Sequence, residues 1–121
     1  MCILCNPPDD LSTLISVDGF RCPYLSVIPT GMINLTYLTC CRCPLLTSIP
    51  SGMINLINLR CYDCPSLTFI GSDMINLTYL DCSGCPLLKA IPSGMINLND
   101  FRCHKCPLLT SIPLDMMLDV K

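Results

Sequence analysis

The sequence predicts a solenoid of short turns, each contributing one strand to a parallel sheet and returning by an irregular path with little true helix. Two observations carry this. Cys22, Cys43, Cys64, Cys85 and Cys106 recur at a constant spacing of 21 residues, each followed by proline. Three apolar columns keep the same spacing, one running Leu14, Leu35, Leu56, Leu77 and Leu98, the others beginning at Leu25 and Ile28. A fixed period over most of a chain is the mark of stacked repeats, in which every turn buries its apolar face against its neighbours.

Within the period, each unit divides into two parts. The opening, as in Leu35-Thr-Tyr-Leu38-Thr-Cys40, alternates apolar and variable residues, the period of two expected of a strand with one buried face. The remainder, as in Ile49-Pro50-Ser51-Gly52, is too short and too interrupted by Pro and Gly for a helix. The units run 14–34, 35–55, 56–76, 77–97 and 98–118, preceded by a truncated half unit over 1–13 and followed by a tail, 119–121. Counted backward, Leu4 falls in the later Leu column and Leu11 in the Met column. The half unit brings no strand to lie beside Leu14–Phe20, and Met116, Met117 and Leu118 leave the last turn apolar. Either end-to-end self-association or origin in a longer repeat array is therefore expected, since solenoids need polar caps.

The pattern L-x-x-L-x-C-x-x-C-P-x-L resembles the leucine-rich-repeat family over residues 14–118. The short unit and Ile-Pro pair are similar to bacterial effector and plant-resistance types, and the Cys-x-x-Cys-Pro variant is most similar to repeat proteins of giant DNA viruses. The resemblance implies an α/β-type leucine-rich-repeat solenoid, with one parallel sheet on a concave face and irregular or 3-10 return segments on the convex face. It also implies that the concave face binds other proteins. The family's strand-end asparagine is Cys throughout this chain, so no asparagine ladder is expected at that column.

Composition fits a folded domain and narrows the partners. Of 121 residues 51% are apolar, and the formal charge is only -2, enough apolar content to bury a core. Seven basic residues scattered among nine acids do not make the cationic footprint of a nucleic-acid binder. Apolar runs are too short to span a bilayer, so no membrane contact is expected. The first residues carry no basic leader, which reads as cytoplasmic with reduced thiols.

The cysteines invite a rival reading. Cys40/Cys43, Cys61/Cys64, Cys82/Cys85, Cys103/Cys106 and the terminal Cys2/Cys5 all have metal-ligand spacing, and a zinc or thiol-redox protein is the alternative from another class. The repeat places both thiols of each internal pair in inward columns, however, so packing is the preferred role and neither metal nor cofactor is expected. Cys41, by contrast, falls in an outward column and reads as the most reactive thiol, while Cys2 and Cys5 read as free to chelate. The lone His104 has no serine or cysteine nucleophile and acid placed with it, Gly31, Gly52 and Gly94 serve a turn, and the sequons at Asn34 and Asn76 are products of the repeat. No enzyme is visible.

The outward columns hold the variation. They read Ser16, Tyr37, Asn58, Tyr79, Asp100; then Asp18, Thr39, Arg60, Asp81, Arg102; then Phe20, Cys41, Tyr62, Ser83, His104. Tyr and Arg dominate binding energies because they bury area while keeping a polar handle. Phe20, Tyr37, Arg60, Tyr62, Tyr79, Asp81 and Arg102 are therefore the candidate residues for binding another protein. The competing account makes Arg60, Asp81 and Arg102 a ladder of ion pairs between neighbouring strands. A substrate-recognition arm of a larger ligase or effector assembly is a further reading.

Overall fold

The computed structural model describes residues 3–110, 112 and 113, so Cys2, Met116, Met117 and Leu118 lie outside the described residues. The chain is a solenoid. Strands β1 (Ser16–Asp18), β2 (Tyr37–Thr39), β4 (Asn58–Arg60), β6 (Tyr79–Asp81) and β7 (Asp100–Arg102) form one parallel sheet in that order. The pairing follows the repeat, with Val17, Leu38, Leu59, Leu80 and Phe101 in register across all five. Equivalent residues thus stack at about 4.8 Å per turn.

Why these three-residue strands and not longer ones follows from what flanks them. The strand ends where a side chain captures the backbone: Asp18 Oδ1 accepts from the Phe20 N–H at 3.0 Å and Asp81 Oδ1 from the Ser83 N–H at 3.1 Å. The chain then passes through the left-handed region at Arg21, Arg42, Asp63, Gly84 and Lys105, with φ between 56° and 69°, and turns into the Cys-Pro step. A second left-handed position recurs at Gly31, Gly52 and Gly94, where glycine bears the conformation without strain. In the third unit Asp73 takes that place with φ 74°.

The return path is more ordered than its sequence suggests. Among the described residues the one 3-10 helix, Leu11–Thr13, is capped by Asp10, whose side chain accepts from the Ser12 N–H, and it precedes β1. Instead, Ser48–Ile49 (β3) and Phe69–Ile70 (β5) form a second, two-stranded parallel ladder. Gly71 explains its location. The corresponding residues are Pro29, Pro50, Pro92 and Pro113, which have no N–H to give, whereas the Gly71 N–H donates to Ile49 O at 2.7 Å. A side chain at 71 would run into the backbone of Pro50 and Ser51.

The core is the set of inward columns. Leu35, Leu56 and Leu77, Cys40, Cys61 and Cys82, Cys43, Cys64 and Cys85, and Leu46, Leu67 and Leu88 are all fully buried, and no described polar or charged residue is buried among them. Leu4 is buried in the same core, so the segment before β1 covers the first turn without adding a strand to it. Two expected outcomes follow. Leu59→Ala, at the centre of the stack, is expected to cost about 2–5 kcal/mol in urea denaturation. Asp73→Gly, which relieves a left-handed non-glycine residue, is expected to raise stability by about 1 kcal/mol, read from the same denaturation curves.

Candidate protein-binding face

The outward strand columns are placed as the alternation requires, but their side chains are not used alike. Tyr37 is 50% and Phe20 40% exposed. Arg60 and Arg102 are exposed, while Tyr62, Tyr79 and Asp81 are half-buried. Tyr79 lies between the two arginines, with Arg60 Cζ 5.0 Å and Arg102 Cζ 5.7 Å from its ring centroid. The ladder of ion pairs through Asp81 on which the competing account rests is not formed among the described residues. Arg102 turns to Asp100 on its own strand at 3.2 Å, Arg60 makes no ion pair among the described residues, and the Asp81 carboxylate serves its turn.

Cys41 corrects the sequence reading. It is fully buried, although its column points outward. Its column neighbours one turn away on either side are Phe20 and Tyr62, and a side chain as short as cysteine is covered between two rings about 4.8 Å above and below it. Burial pushes its thiol up to about 12, partly offset by hydrogen bonds from Tyr62. It is therefore a poor nucleophile and not the most reactive thiol, since the thiolate is the reactive species.

Burial acts in the same direction on several other cysteines, and the strand-end thiols have a second role. Burial raises Cys40 and Cys61 well above the usual thiol range, Cys85 to about 12, and Cys64, Cys82 and Cys103 in the same direction. Each strand-end thiol reaches back to the preceding turn: Cys43 to Gly19 O at 3.1 Å, Cys64 to Cys40 O at 3.2 Å, Cys85 to Cys61 O at 3.3 Å and Cys106 to Cys82 O at 3.1 Å. The thiol is a weak donor, yet it meets a buried carbonyl of the preceding turn; among the described residues only Gly19 O of these also accepts a backbone N–H, from Cys22 at 3.3 Å. Cys5, expected to pair with Cys2, has its sulfur 3.0 Å from that of Cys22. Among the described residues no three His, Cys or Asp side chains converge as a metal site would require.

Two features escaped the sequence reading. Asn34, Asn55, Asn76 and Asn97 form an asparagine ladder at the turn that enters each strand, each side-chain amide donating at 2.8 Å to a carbonyl of the preceding turn. With Ile57 and Thr78 they line a groove of about 790 Å³. The constant Asn before each repeat leucine was its visible signal. The second is Arg21 and Arg42, which flank the Phe20 ring at 5.3 and 5.8 Å from the turn just beyond the strand. His104 shows no relay: the Ser83 hydroxyl accepts from its backbone N–H, not its imidazole.

The raised thiols fix a pH dependence. In the unfolded chain a thiol ionises near 8.5, while Cys41 and Cys85 in the fold ionise only at about 12. Above the unfolded value the unfolded state holds fewer protons, so stability is full below about pH 8.5 and falls as pH rises toward the folded values, by up to about 1.4 kcal/mol per pH unit for each buried thiol. Urea midpoints in reductant are expected to stay level through neutral pH and drop steeply above about pH 9. Iodoacetamide applied to the folded protein near pH 8 is expected to leave Cys41 unmodified, as peptide mass spectrometry will show.

No helix among the described residues is long and apolar enough to cross a membrane. Among curated proteins none matches the chain. The Leucine Rich Repeat family model matches residues 34–56 and 76–98, and these matches, in register with the 21-residue period and the one-strand turns of the fold, support a leucine-rich-repeat family for this chain.

Proposed function

We propose that the chain is a non-catalytic interaction module that binds another protein through the exposed, concave face of its sheet. The observation that carries this is the contrast between columns. The inward columns repeat nearly the same residue in every turn, whereas the outward strand positions change from turn to turn and hold Phe20, Tyr37, Tyr62 and Tyr79 with arginines over two of the rings. Aromatic and arginine side chains held in fixed positions are the usual anchors of protein interfaces. Leucine-rich repeats are in general protein-interaction modules and typically non-catalytic, which agrees with thiols that burial keeps protonated.

The test begins with a partner captured by the wild-type chain, identified and purified. Tyr37→Ala removes an exposed ring, so stability is expected to change by no more than about 0.5 kcal/mol while binding weakens by about 2 kcal/mol, roughly thirtyfold. Calorimetry on the purified pair measures both. If Tyr37→Ala and Tyr79→Ala bind as wild type while Phe69→Ala, on the return path, loses the partner, the assignment to the strand face fails.

A further inference from the structure

We infer that the partner presents an acidic segment, and that Arg21 and Arg60 are the two points that receive its carboxylates; this rests on the strand-face reading above. All four arginines of the chain are held against two rings. Arg21 and Arg42 flank Phe20, and Arg60 and Arg102 flank Tyr79, with every Cζ between 5.0 and 5.8 Å from the ring centroid. In each set one arginine already has a carboxylate: Arg42 lies 3.6 Å from Asp63 and Arg102 3.2 Å from Asp100. The other member, Arg21 or Arg60, makes no ion pair among the described residues. Asp81 is in register with Arg60, yet its Oδ1 accepts from the Ser83 N–H.

A guanidinium resting on a ring uses its face and leaves its N–H edge to the solvent, preset for a two-pronged hold on a carboxylate. Position 21 adds a second argument. The left-handed backbone there, φ 57°, is one that glycine adopts freely and that strains an ordinary residue. Gly84 occupies the same place in the fourth unit and Asp63 in the third, but Arg21, Arg42 and Lys105 stand there in the other three, so the fold bears strain to display charged groups on this rim, three of them cations. The charge balance agrees. The arginines and Lys105 on the strand face and its rim meet Asp18, Asp63, Asp81 and Asp100, five cations against four acids, whereas the rest of the described chain sets Lys89 against Asp9, Asp10 and Asp73. The strand side is therefore the less acidic side of the described chain, the one better suited to receive an acidic partner.

The spacing makes the partner more specific. Arg21 and Arg60 belong to the first and third units, two turns apart, or about 10 Å along the stack. Arg21 also stands three positions beyond the column of Arg60, whose first-unit member is Asp18, so the two lie on a diagonal of about 10–14 Å that an extended segment spans with acidic residues three to four apart. The probe is a fluorescein-labelled ten-residue peptide with glutamates at that spacing, compared with its glutamine counterpart by fluorescence anisotropy in low salt and in about 0.15 M salt. The glutamate peptide is expected to bind at least about tenfold more tightly, and Arg21→Gln/Arg60→Gln to remove that advantage while Lys89→Gln keeps it. Equal binding of the two peptides, or undiminished binding by a double variant whose melting curve matches wild type, overturns the inference. So does tighter binding of a single-stranded oligonucleotide of equal charge. With the captured partner, loss on Tyr37→Ala but not on the double arginine variant leaves the strand-face reading standing and removes the acidic one.

Discussion

Everything in this fold depends on pairing each turn's peptide groups with those of the turns on either side. A unit of 21 residues without helix closes few hydrogen bonds within itself, and a buried peptide group left unpaired costs about as much as a lost hydrogen bond. Strands of three residues satisfy only part of the need. Backbone bonds between turns just outside the strands add to them, as from Cys40 N–H to Arg60 O at 2.9 Å, and side chains supply more: thiols at the strand end, amides at the strand entry, and the hydroxyls of Thr36 and Thr78, which join the backbone donors at Ile15 O and Ile57 O. A residue that meets such a carbonyl in one turn must be repeated in the next, because the next turn exposes the same carbonyl. The columns are constant for hydrogen bonding as much as for packing.

That constraint explains the cysteines. The strand-end column needs a side chain short enough to stay inside a tight turn, apolar enough to lie in the core, and able to donate once. Serine meets the first and last conditions but brings a hydroxyl that is costly to bury with its acceptor capacity unmet. Cysteine meets all three with a weaker bond, and burial then removes the reactivity that its spacing advertises. A motif with metal-ligand spacing thus becomes a set of hydrogen-bonded core residues, since neighbouring pairs lie on successive turns and each second thiol faces backward to a carbonyl.

How far the sequence could be read follows from the same division. Columns at a fixed period state burial directly, so the sheet, its register and the inward residues from Leu35 to Phe101 were legible. What depends on a neighbour's shape was not. Cys41 alternates outward by backbone rule and is buried because Phe20 and Tyr62 stand above and below it. The asparagine ladder was in plain view as a constant residue, but its purpose lies in the carbonyl of another turn, 22 residues back in the chain. The β3–β5 ladder hinges on one departure, Gly71 for proline. The arginine sets were half visible: Arg60 and Arg102 fall in a strand column, whereas Arg21 and Arg42 lie one residue beyond the alternating pattern.

The left-handed position after each strand shows where stability and display diverge. Its backbone conformation is fixed by the turn into the Cys-Pro step, so the scaffold alone would favour glycine in all five units, and Gly84 shows that glycine fits. Burial in the core is not the reason for arginine at 21 and 42, since both side chains are exposed, and an exposed ion pair such as Arg42–Asp63 contributes at most about 1 kcal/mol, no more than the strain it accompanies. A position that is strained, exposed and charged in four of five turns is better explained by what its side chains present than by what they hold together. The rim beside the sheet therefore belongs with the strand face as one surface, although the strand periodicity by itself would have drawn the boundary at residues 20, 41, 62, 83 and 104.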